Sequence, residues 1–91
     1  MVIHAPEGLS DPEQALSWLK AGDFVVGPEW VKAHALCQLD EGDRDHDLVH
    51  ALCHWIEGDL ANRDYWYRRL APWRRAGTIA AEWQAVRETV A

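Results

Sequence analysis

His34-Ala35-Leu36-Cys37-Gln38-Leu39-Asp40-Glu41-Gly42-Asp43 is followed, sixteen residues later, by His50-Ala51-Leu52-Cys53-His54-Trp55-Ile56-Glu57-Gly58-Asp59, and seven of the ten positions match. The matches form two blocks separated by a constant gap. The His-Ala-Leu-Cys block lies in the body of each copy, and Glu-Gly-Asp closes it. Alanine and leucine favour helix, glycine accepts the left-handed backbone that ends one, and aspartate caps the next. A period of sixteen thus equals one helix plus one tight turn, so consecutive helices become antiparallel neighbours. The expected fold class is all-α.

The flanks read the same way. Ser10-Asp11-Pro12-Glu13 has the pattern of a capping box with proline in the first turn, and Gly22 is expected to stop that helix in left-handed geometry. Phe24-Val25-Val26 reads as a short extended piece, and Gly27-Pro28 opens a second helix over residues 28–41, with Val26 stapled on Val31. A third helix, 46–57, divides Leu48, Val49, Leu52, Trp55 and Ile56 from His46, Asp47, His50, His54 and Glu57, the pattern of an amphipathic surface helix. A fourth runs over 60–71 and ends before Pro72, and Thr78 caps a fifth that frays near Ala91.

Ninety-one residues make one domain, 1–91, and six tryptophans help so short a chain fill a core. With 48% hydrophobic and 26% charged residues the chain is of globular type. The start Met1-Val2-Ile3-His4-Ala5-Pro6-Glu7 has neither a basic beginning nor an apolar run, so no signal peptide is expected, and no stretch suits a membrane. Two cysteines without a secretion signal point to free thiols and a cytoplasmic setting. The net charge of −6 disfavours nucleic acid as a partner. Charge is uneven: residues 1–62 carry twelve acids and three bases, residues 63–91 three acids and six arginines.

The run Trp55-Ile56-Glu57-Gly58-Asp59-Leu60-Ala61-Asn62-Arg63-Asp64-Tyr65-Trp66-Tyr67-Arg68-Arg69 resembles a segment of small uncharacterised bacterial helical proteins. More loosely, it is similar to the second half of a Sel1-type tetratricopeptide-like repeat, departing from it at Leu70-Ala71-Pro72. That resemblance implies a helical hairpin serving as a protein-binding scaffold, and it transfers no catalytic residue. The expected architecture is a compact bundle of about five helices with a tetratricopeptide-like antiparallel central hairpin.

Two clusters are candidates for function. Arginines alternate with aromatics at Tyr65, Trp66, Arg68, Arg69, Trp73 and Arg74, a composition suited to a protein hot spot. The same residues also suit core filling, with the arginines answering the acidic first half. The primary expectation is a protein-interaction module with a protein partner, and a homodimer is one way to bury a face.

The alternative is a zinc-type site on the stripe His46, His50, His54 and Glu57. Histidines four apart share a helix face and can ligate one ion, whereas the outer pair is about 12 Å apart along the axis. The expected ligands are His50 and His54 with Glu57 or the Cys37 thiolate; the other reading is a solvated polar face. Cys37 and Cys53 otherwise read as packing residues. No nucleophile elbow, phosphate loop or His-Glu-x-x-His is present, so no enzyme and no cofactor other than such a metal is expected.

Overall fold

The computed structural model describes residues 8–90; the N-terminal segment read above for a signal peptide, and Ala91, near which fraying was expected, lie outside them. Among the described residues the secondary structure is entirely helical: α1 (Asp11–Ala21), α2 (Pro28–Cys37), α3 (Arg44–Glu57), α4 (Leu60–Arg69) and α5 (Ile79–Thr89). The all-α expectation holds. Among the described residues no helix is long and apolar enough to cross a membrane.

The helix starts follow local chemistry. Ser10 accepts from the Glu13 amide while the Glu13 carboxylate accepts from the Ser10 amide, a complete capping box. Asp43, Asp59 and Thr78 cap α3, α4 and α5 by accepting from His46, Asn62 and Ala81. Gly58 ends α3 at φ 83°, which a side chain would strain.

Four local expectations fail. Gly22 sits at φ −86°, not left-handed; Asp23 and Phe24 take the positive φ angles instead, 59° and 57°. The chain therefore reverses at residues 23–24 and no extended piece forms, while Phe24 turns its ring toward Trp83. The second helix becomes a 3-10 turn at Gln38–Asp40, leaving Leu39 exposed. Val26 and Val31 also stay exposed, which removes the expected staple from the core.

The largest departure is α3. It was expected at the surface, yet every residue from His46 to His54 is buried. Helices α1, α2, α4 and α5 all pack on it, so its polar stripe faces neighbours as its apolar stripe does. Periodicity reports that a helix has two faces, and it cannot report that both are covered. Leu48, Val49 and Leu52 meet Leu16 and Leu19 of α1 and Val86 of α5 in one core. The Trp83 indole donates to the Leu16 carbonyl at 2.8 Å, tying α5 to α1.

Candidate functional site

The buried polar stripe of α3 meets α2 at three imidazoles. His50 and His54 are four apart on α3, and His34 comes from α2. One ligand-capable atom from each lies within 4.8 Å of the others. His34 Nε2 and His50 Nε2 face each other at 3.1 Å. The ring centroids are 4.8 Å apart for His34–His50, 5.4 Å for His34–His54 and 4.8 Å for His50–His54. Three rings from two helices thus converge on one point.

The convergence has supports on each side. Trp30 donates its indole N–H to the Cys53 carbonyl at 2.9 Å and stacks on His34 at 4.9 Å, nearly parallel. Trp66 of α4 covers His50 at 4.5 Å. Glu57 Oε1 lies 2.6 Å from His54 Nδ1. A carboxylate there holds the proton on Nδ1 and leaves the Nε2 lone pair of His54 for a ligand, the arrangement found around metal-bound histidines.

The electrostatics point the same way. Burial, then the charges His54 and His34 would carry, push His50 down to about 4. His34 is also lowered, by burial and His54, against the opposing pull of Glu57 and Glu41. Near neutral pH both rings are uncharged, with lone pairs to donate. His50 Nδ1 is buried without a hydrogen-bond partner. Its nearest carboxylate oxygen, Glu41 Oε2, is 3.9 Å away, too far for a hydrogen bond, and a neutral ring makes no ion pair there.

The expected ligand set changes in four ways. His34 was missed, although the repeat makes it the counterpart of His50; the α2 donor chosen from the sequence was Cys37, three residues further along the same helix. Cys37 is elsewhere: it is buried in the core, and its interaction with Cys53 together with burial raises its thiol well above the usual range. Glu57 reaches a ring nitrogen of His54 and so acts as its orienting partner. His46 turns away to Asp43 Oδ2 at 2.7 Å and Asp11 Oδ2 at 3.4 Å. Burial works against its cation, but those two carboxylates outweigh burial and raise its pKa. The solvated reading of the stripe fails, since His46, His50 and His54 are all buried.

The basic aromatic residues divide. Tyr65, Arg68, Arg69 and Arg74 are exposed, whereas Trp66 and Trp73 are partly buried. Trp66 backs the histidines, and Trp73 donates its indole N–H to Glu82. Arg69 lies over both Tyr65 and Trp66, at 5.6 and 5.4 Å. Arg63 and Arg75 both pack against the Trp55 ring at 5.1 Å. Rings, more than first-half carboxylates, therefore receive these guanidinium groups.

Two surface depressions lie elsewhere: one is lined by Leu9, Glu13, Leu16, Ser17, Trp83 and Arg87, the other lies beside Trp18 and Leu36. Compared with known proteins, the chain matches no family model, no curated protein and no solved structure.

Proposed function

We propose that this protein binds one divalent transition-metal ion of the zinc class through His34, His50 and His54. The observation that carries the reading is the 3.1 Å approach of His34 Nε2 to His50 Nε2 beside the oriented ring of His54. Two nitrogens bound tetrahedrally to zinc at 2.0–2.1 Å are about 3.3 Å apart, so the spacing of this pair already suits an ion. Three imidazoles leave a fourth position for water or a small ligand. An all-nitrogen set of imidazoles also suits copper or nickel, and the metal taken in a cell depends on supply as well as affinity.

Zinc added to chelator-treated protein should bind one ion per chain and raise the melting temperature. At a free concentration of one hundred times Kd the stabilisation is about 2.7 kcal/mol. The pair His34→Ala and His50→Ala should abolish both effects. Uptake by the double variant equal to the parent's, or no uptake by the parent, would overturn the reading.

A second reading, a protein-interaction module, is favoured by the face of α4 on which Arg69 covers Tyr65 and Trp66. In that reading a tetratricopeptide-like hairpin of α3 and α4 offers Tyr65, Arg68, Arg69 and Arg74 to a protein partner. Arg68→Ala with Arg69→Ala should leave folding intact and remove one partner from a pull-down. Identical pull-downs would remove the reading.

A further inference from the structure

The buried Nδ1 of His50 is an anomaly in a chain that satisfies its other buried side-chain groups among the described residues. Leaving such a group unpaired costs about 1–3 kcal/mol, so it needs an explanation. The repeat supplies one. Glu41 and Glu57 are equivalent positions, each seven residues after the repeated histidine and directly before a glycine with positive φ, 102° at Gly42 and 83° at Gly58. Glu57 already contacts a ring nitrogen of α3, His54 Nδ1 at 2.6 Å. Glu41 faces the other ring of α3, His50 Nδ1, and stops 3.9 Å short.

We infer that Glu41 is the positioning carboxylate of the metal site proposed above, accepting the Nδ1–H of His50 when an ion occupies Nε2. The inference rests on that proposed site. Its chemistry follows from tautomers. In the metal-free protein His34 and His50 share one proton between their Nε2 atoms, so either ring can be the donor. An ion ligated by both Nε2 atoms displaces that proton, and each neutral ring must then carry its hydrogen on Nδ1. For His50 this places a buried N–H opposite Glu41 Oε2, about 1 Å beyond hydrogen-bond reach.

Closing that gap is a small movement. Glu41 follows the 3-10 turn, and its side chain is about half exposed. The backbone beside it is held, because the Gly42 amide donates to Asp47 Oδ1 at 3.2 Å. The side chain can therefore swing onto His50 while the turn stays in place. Metal occupancy is thereby coupled to the α2–α3 connection, and the two repeat carboxylates fix the two α3 ligands as a pair.

The test compares Glu41→Ala, Glu41→Gln and, as a loss of equal charge from the same turn, Asp40→Asn. Zinc affinity is measured by competition with a chromophoric chelator, and the His50 ring is followed by nitrogen–proton correlation NMR. Outer-shell partners are typically worth 10–100-fold in affinity, so Glu41→Ala should weaken zinc binding by roughly that factor. Glu41→Gln, which keeps an acceptor oxygen, should recover most of the loss, and Asp40→Asn should bind as the parent does. In the zinc-loaded parent the His50 Nδ1–H should be observed in slow exchange, and in Glu41→Ala it should be lost to solvent. Melting temperatures in chelator should be alike for all three variants. A parent that binds zinc while Glu41→Ala binds it equally well overturns the role of Glu41 alone, as does an equal loss in Asp40→Asn. A parent that takes up no zinc overturns the site itself, and this inference with it.

Discussion

Glu82 and the three imidazoles are both polar clusters packed between helices, and they differ in how their hydrogen bonds are spent. Glu82, on α5, is fully buried. Its Oε2 accepts from the Tyr67 hydroxyl at 2.7 Å and the Trp73 indole at 2.9 Å, and its Oε1 accepts from the Ala76 amide at 2.9 Å. The three donors come from α4, from the connection and from the approach to α5, so one carboxylate gathers the C-terminal third of the chain. Burial and this acceptor together raise the Tyr67 phenol, which stays a donor. At the histidines the opposite holds: two acceptor-capable nitrogens face each other and one ring nitrogen has no partner. A saturated cluster is architecture, whereas an unsaturated one has capacity left for a ligand.

The contrast is broken most sharply at Glu82. Glu82→Ala strands one buried and two partly buried donors, and urea unfolding should show a loss of about 3–5 kcal/mol with no separate effect on zinc uptake. A variant within 1 kcal/mol of the parent would mean the carboxylate is not the organising group.

Acid provides the next largest effect. The folded pKa of His50, about 4, lies below its ordinary 6.5, so the unfolded chain takes up that proton first. The stability tied to this ring is complete above about pH 6.5 and is lost as pH falls toward 4, on the order of 3 kcal/mol. His34, also lowered, acts in the same direction. His46 is raised, so its smaller contribution is present below 6.5 and fades as pH rises through its folded value. In chelator, stability measured from pH 7 to 4.5 should fall steeply in the parent and less in His50→Leu. Parallel curves would contradict the neutral buried ring.

His50→Leu sharpens the comparison at neutral pH. Replacing a buried group that lacks a partner by an apolar one of similar size should change metal-free stability by about 1 kcal/mol or less, in either direction. The same change should abolish zinc-dependent stabilisation. A large loss in chelator would make His50 a structural residue of the same kind as Glu82. Arg69→Ala should have the smallest effect, below about 1 kcal/mol by thermal melting, because the ring contacts it loses are exposed ones.

Much of the frame was legible because local chemistry governs it. Ser10, Asp43, Asp59 and Thr78 each cap the next helix through their own side chain, and Gly58 turns left-handed where the repeat puts a stop. Gly22 failed because two non-glycine residues beyond it, Asp23 and Phe24, took the positive φ angles. A Cβ at Gly22 would also lie 2.8 Å from the Glu29 Cβ, so close approach is the stronger reason for glycine there. At the site, the four-residue spacing of His50 and His54 was readable, and so was the equivalence of His34 with His50. That His34 and not Cys37 joins them was not readable.

The sequence by itself determined the helices, their order and most of their N-caps, since each depends on interactions within about four residues. It also determined that two histidines and two glutamates recur in register sixteen residues apart. Only the tertiary structure decided which face of α2 meets α3, and with it that His34 joins the α3 pair while Cys37 meets Cys53. The same packing covered α3 on every side and buried the imidazoles of an expected solvent stripe. The physical reason is that a helix repeats every 3.6 residues, so His34 and Cys37, three apart, are both candidates for one neighbouring surface. The rotation and depth of helix packing, set by the whole core, choose between them.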